Sequence, residues 1–227
     1  MRLFLVFVLA FCSHSYAQDS IIVIKAGTSV NESIAVTNLY QYPQFIFGKV
    51  FYRSGDSSGG KLNYNKLLDE MHFIDFKGDT LTIANPGTVK FIRVNNDVFY
   101  YDDGYMKLVR EINGIKLAVK HSLRVSGKNK TGAYNMQSPT SAIDSYGSLF
   151  DQRGKYNLVP REDVTLTKKT QYYFGDKYNQ FTWALKKNLL RQYSKQSRAL
   201  NAYLKDNDID LNKMEDLEKL LAFLAGL

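Results

Sequence analysis

Glu70 and His72 are two residues in this 227-residue chain whose types and spacing could do chemistry. A carboxylate beside an imidazole can take a proton from a reacting group and return it, which is the basis of general acid–base hydrolysis. Standing two positions apart, they share a face only where the chain is extended, and Asp69 would then point to the opposite face. A second constellation, Asp206-Asn207-Asp208-Ile209-Asp210, places oxygen ligands at the spacing that opens a calcium loop. Such a loop needs glycine at its sixth position and a bidentate glutamate at its twelfth, where this chain has Leu211 and Leu217. The segment therefore reads as an acidic turn whose carboxylates favour the positive N-terminus of a following helix. His121 has no histidine at ligand spacing and sits in an apolar alternation, so it reads as a hydrogen-bonded core residue. No metal site is expected.

Covalent catalysis finds little support in the sequence. No G-x-S-x-G elbow occurs, and no glycine-rich turn is followed by the Lys-Ser or Lys-Thr of a phosphate-cradling loop. The single cysteine, Cys12, lies in an N-terminal segment that we expect to be removed, which leaves no disulfide, thiol nucleophile or cysteine metal site. No catalytic residue and no cofactor is assigned, and the chain is not expected to be an enzyme.

Lys and Arg number 30 against 22 Asp and Glu, a net charge of +8. The placement of charge is more telling than its sum, since Lys177 to Lys205 holds seven basic residues and no acid while Asp206 to Glu218 holds six acids. Projected as a helix, Leu185, Leu189, Tyr193, Leu200, Tyr203 and Leu204 fall on one arc, and Lys187, Arg191, Lys195, Arg198 and Lys205 on the opposite one. Lys187, Arg191, Lys195 and Arg198 are therefore the candidate binding residues for an anionic surface, the plain alternative being a solvated face. A second helix is expected from Asn212, capped by that residue with Glu215, burying Met214, Leu217, Leu220, Leu221 and Leu224. Trp183 is expected to pack where the helices meet the sheet.

These residues must be carried by a set of elements with clear punctuation. Arg2, the apolar run Leu3 to Cys12 and the small-residue site Ser15-Tyr16-Ala17 predict a signal peptide over 1–17 and a mature start at Gln18, with Cys12 as a lipid anchor the alternative. Its apolar run is shorter than the roughly 20 residues a spanning helix needs, and no later segment approaches that length. Residues 18–125 read as an antiparallel β domain, because short alternating runs rich in Val, Ile, Phe and Tyr are separated by turns such as Asn95-Asn96-Asp97 and Asn113-Gly114. Within the last run, Ile115, Leu117, Val119, His121, Leu123 and Val125 should face a core, and Lys116, Lys120, Ser122 and Arg124 water. Residues 126–163 read as a long polar loop, or as a flap over a ligand if Tyr134, Tyr146 and Tyr156 face a cavity. Residues 164–227 read as final strands and a helical hairpin. The expected fold is α+β: a meander of seven to nine strands forming a curved sheet or open barrel, with the helical hairpin packed on it.

The segments Gly48-Lys49-Val50-Phe51-Tyr52, Lys61-Leu62-Asn63-Tyr64-Asn65, Glu70-Met71-His72-Phe73-Ile74 and Tyr203-Leu204-Lys205-Asp206-Asn207 resemble uncharacterised exported proteins of bacteroidete-type Gram-negative bacteria. The resemblance implies a periplasmic or envelope setting, or secretion, and no activity. It also implies that Asp19-Ser20-Ile21 and Asp79-Thr80-Leu81 look like O-glycan acceptors. The leading expectation is a noncatalytic binding or structural module of the cell envelope, with an envelope protein, a polysaccharide or an anionic surface as partner. Nucleic acid and an integral membrane span are not expected. The alternative is a carrier of a lipid or other apolar ligand in a barrel cavity, and a hydrolase using Glu70 and His72 ranks third.

Overall fold

Alternating apolar residues and left-handed turns build one antiparallel sheet that accounts for most of the chain. The computed structural model describes residues 21–131, 137–140, 159–160 and 162–227, so the leader and Tyr134, Tyr146 and Tyr156 lie outside the described residues. The strands are β1 (Ile21–Ile24), β2 (Ile46–Tyr52), β3 (Ser57–Asn65), β4 (Glu70–Ile74), β5 (Thr80–Thr82), β6 (Val89–Val94), β7 (Asp97–Tyr101), β8 (Tyr105–Ile112), β9 (Ile115–Thr131), β10 (Gln137–Thr140), β11 (Asp163–Gly175) and β12 (Phe181–Trp183). They form a 12-stranded sheet in the order β1-β11-β9-β8-β7-β6-β2-β3-β4-β5, with β10 on β9 and β12 on β11. The α+β class is as expected, and the sheet is open, the path through it running from β1 to β5 among the described residues.

The strand count exceeds the seven to nine expected because pairing continues where composition gives no alternation. The polar run after Val125 stays extended as far as Thr131, where backbone pairing to β10 and β11 replaces apolar burial as the constraint. Turn chemistry is read more directly. Asn113 and Gly114 take φ 50 and 80, the two left-handed positions of a two-residue hairpin joining β8 to β9.

The sheet curls strongly. Beyond the end of the β8 pairing, the Leu123 amide donates to the Lys66 carbonyl at 2.8 Å, tying β9 to the chain that follows β3. The curl encloses Val50, Leu62, Tyr64, Met71, Ile92 and Phe99 in an interior core. It also overturns one expectation: the side of β9 assigned to water is buried, with Lys116 4 % and Lys120 5 % exposed. The lysines tolerate this because each is paired. Lys120 meets the Asp69 carboxylate, while Lys116 donates to the Asp176 carbonyl at 3.1 Å and lies 3.6 Å from Glu111.

Helices cover the outside at two places. The short α1 (Val30–Ser33) and α2 (Val36–Leu39), with Ile34 between them, pack Val30, Ile34 and Leu39 with Leu123 and Leu166. At the other end, α3 (Lys186–Gln192), α4 (Ser197–Asp206) and α5 (Met214–Leu224) bury Leu189, Leu200, Leu217, Leu220 and Leu221 against Leu117 and Phe174. Each such leucine contributes on the order of 2 kcal/mol. The hairpin proper is α4–α5, fixed by Tyr203 stacked on Phe223 at 3.9 Å. Two local expectations fail. Lys213, not Asn212, precedes the first turn of α5, where Asp216 instead accepts from the Asp210 amide at 3.2 Å. Trp183 is 43 % exposed on the edge strand β12, and the smaller Ala184 fills the junction it was expected to fill.

Candidate functional site

The basic stripe of the tail is not carried by one continuous helix. The helix expected through Leu204 stops at Tyr193 (φ −101, ψ 44), a 3-10 turn over Ser194–Gln196 follows, and α4 restarts at Ser197. Lys187 and Arg191 thus ride on α3, Lys195 on the turn and Arg198 on α4, all exposed. With the helix broken, projection at one continuous helical period no longer describes how these four residues are disposed.

Glu70 and His72 do come together, because β4 is extended and puts both on one face. Glu70 Oε2 lies 3.1 Å from His72 Nε2, and the Tyr40 hydroxyl lies 3.1 Å from His72 Nδ1. A carboxylate only accepts, so Nε2 carries its proton, and in the neutral ring Nδ1 accepts from the Tyr40 hydroxyl. Tyr40 reaches this position through the bridge of its backbone to Asn65 on β3. Burial, joined by the Glu70 charge, holds the Tyr40 hydroxyl above its ordinary range, which works against a phenolate nucleophile. The His72 ring is fully buried, with Tyr40 edge-on at 5.7 Å. Both ring nitrogens are thus engaged in a lock between β4 and the segment before β2. A substrate would have to displace that lock to reach either.

A different set of residues is presented to solvent. On β2 the buried Gly48 and Val50 alternate with Phe47, Lys49 and Phe51, and on β6 the buried Ile92 and Val94 alternate with Phe91 and Arg93. The register sets Lys49 directly opposite Arg93 and Phe51 directly opposite Phe91. Phe51 and Phe91 stack at 4.5 Å, and the run of rings continues through Tyr100 at 6.4 Å and Phe181 at 5.8 Å. Lys49 Nζ lies 5.4 Å from the Phe51 ring centre, and the Arg93 guanidinium lies 6.0 Å from Phe51 and 5.9 Å from Phe91. The ring faces thus stabilise two cations that the strand register forces side by side. Among the described residues, no carboxylate forms an ion pair with Lys49 or Arg93. Phe47, 73 % exposed, lies over Gly59, where a Cβ would stand 3.1 Å from its ring. The tip of the ring thus approaches Gly59 while most of the ring meets solvent.

The opposite side of β2–β5 holds a groove of about 420 Å³. Val50, Leu62, Phe73 and Ile83 give it apolar walls, while the hydroxyls of Tyr52 and Ser58, 3.0 Å apart, supply a polar point. Neither Glu70 nor His72 lines it.

Comparison with known proteins places no family beside this chain: no family model, no curated protein and no solved structure matches it. Among the described residues no group of three or more His, Asp or Glu is placed to hold a metal ion, and no helix is long and apolar enough to cross a membrane. The sequence reading missed Phe47, Lys49, Phe51, Phe91 and Arg93, although a signal existed. Aromatic and basic residues at every second position, in Phe47-Gly48-Lys49-Val50-Phe51 and Phe91-Ile92-Arg93, assign those side chains to one strand face.

Proposed function

We propose that this chain is a noncatalytic binding module of the bacterial cell envelope, and that it engages an anionic partner through the outer face of β2 and β6. The observation that carries this reading is the pair Lys49 and Arg93, opposed across two strands and held on aromatic faces with no carboxylate paired to either among the described residues. Like charges set directly opposite each other cost stability, so an arrangement that keeps both and stabilises them with rings is one suited to an anion from outside. The net charge of +8 favours the same partners at longer range. The setting rests on the signal-peptide reading of 1–17 and on the resemblance to exported proteins. Cosedimentation of the purified protein with an envelope fraction tests it: Lys49→Glu with Arg93→Glu should abolish pelleting while the fold is retained by circular dichroism. Pelleting that survives both substitutions would sink the reading.

The groove favours a second reading, a carrier of an apolar ligand, since its volume lies in the range of small-molecule sites and its walls are mainly apolar. Native mass spectrometry of protein purified gently from its source separates the two. A discrete small-molecule increment above the denatured mass would favour the carrier, and a bare chain would count against it.

A further inference from the structure

We infer that the ligand of the β2–β6 face is an acidic polysaccharide, one sugar ring stacking on Phe47 while its carboxylate is held between Lys49 and Arg93. This rests on the binding-module reading and adds the chemistry of the partner. Phe47 and Lys49 stand two positions apart on one strand, about 6.6 Å along its axis, so ring and cation are close enough to meet one sugar unit. The Phe47 ring is largely exposed, and an aromatic face carries negative charge that attracts the positively polarised C–H face of a sugar. Gly59 leaves room for the ring's tip: a Cβ there would stand 3.1 Å from it, so the ring would have to shift by a few tenths of an ångström. The stacked faces of Phe51 and Phe91 are directed at each other and at the cations, so those two rings position charge while Phe47 offers surface.

The charge geometry suits a carboxylate. Arg93 presents a planar fork of donors, and Lys49 supplies a second positive centre from the neighbouring strand, so one carboxylate can bridge both. Lys61, exposed and directly opposite Phe47, places a further cation across the ring from Lys49, as a chain of repeating acidic sugars would require. A bilayer is a poorer match. The exposed cations Lys49, Lys61 and Arg93, with Arg53 and Lys90 beside them, sit on or next to strands, where no amphipathic helix is offered for insertion.

Polygalacturonate oligomers, a neutral galactose polymer and phosphatidylglycerol vesicles are titrated into the whole protein by calorimetry at moderate salt. The inference expects binding of the polygalacturonate alone. Lys49→Ser with Arg93→Ser should weaken it by at least tenfold and Phe47→Ser by three- to tenfold, while Lys187→Ser with Arg191→Ser, which removes equal charge from α3, should change it less than twofold. Equal losses from the two charge pairs would show attraction to net charge only and overturn the inference. Equal affinity for the neutral polymer, or tighter binding to the vesicles, would also overturn it. If no polygalacturonate binds while the Lys49 and Arg93 variants still lose envelope cosedimentation, the sugar assignment falls and the binding-module reading stands. If neither signal depends on these residues, both fall.

Discussion

Two pairs of strand cations in this protein are treated in opposite ways. Lys116 and Lys120 on β9 are buried, and each is matched by a carboxylate, Lys116 by a carbonyl and the Tyr100 ring at 5.5 Å as well, so it is the carboxylate and not the ring that sets this pair apart. Lys49 and Arg93 are exposed, and their partners are aromatic faces. The difference separates a charge that holds the fold from a charge that is kept for something else. A buried cation must be paired, because desolvation without compensation costs more than the fold can bear. An exposed cation carries no such obligation, so the cost of two set side by side points to use by a ligand.

The largest expected effect is on the structural side of this comparison. Asp69, at φ 60, accepts from the Tyr64 hydroxyl at 2.7 Å and the Tyr105 amide at 3.1 Å as well as facing Lys120. Lys120→Met should leave that carboxylate short of its counter-charge and cost about 3–5 kcal/mol, read as a lowered midpoint in urea. A midpoint shift within about 0.5 kcal/mol of wild type would put Lys120 in the same class as Lys49. Gly104→Ala comes next, at about 2–3 kcal/mol, since Gly104 has φ 119 and a Cβ would run into both Lys120 Nζ and the Asp69 carboxylate.

Lys66 sharpens the comparison through pH. Burial, then the charge of Lys168, brings its ammonium down to about 8, against an ordinary 10.5. Between these values the unfolded chain holds a proton that the folded protein has released. Stability should therefore rise as pH climbs from about 8 to 9.5, short of the tyrosine hydroxyls, and the gain should be given up again as pH falls back to about 8, below which this group adds no further change. Lys66→Met should flatten that rise in thermal melts, and an unchanged slope would assign it to other groups. The smallest expected effect is the most diagnostic one. Lys49→Thr with Arg93→Thr should leave stability within about 0.5 kcal/mol, or raise it slightly, because a like-charge repulsion is removed. A loss of 2 kcal/mol would make the pair structural and erase the contrast.

What the sequence made legible follows from how local the signal was. Asn113-Gly114 announces its hairpin, and the leucine spacing of α5 announces its buried stripe, because both depend on neighbours in the chain. The burial of Lys116 and Lys120 could not be read from β9, since alternation says only that they share a side and the curl decides what that side meets. The break at Tyr193 was equally hidden, the residues around it fitting one helical arc until tertiary packing chose otherwise. Lys49 and Arg93 are each visible on a strand. Their opposition depends on a register between β2 and β6 that no short segment specifies.

The position of β1 has a consequence for how this molecule comes into being. Ile21–Ile24 find their partners in Val164–Thr167 of β11, so the earliest of the described strands waits for the last but one. Contacts this distant in sequence slow folding, because the entropy of closing the intervening chain is lost before the pairing is gained. During synthesis the nascent β1 has no sheet to join, and the edge of β11 that it covers does not yet exist. Late completion, rather than local strength, is what the order of strands imposes on the life of a newly made chain.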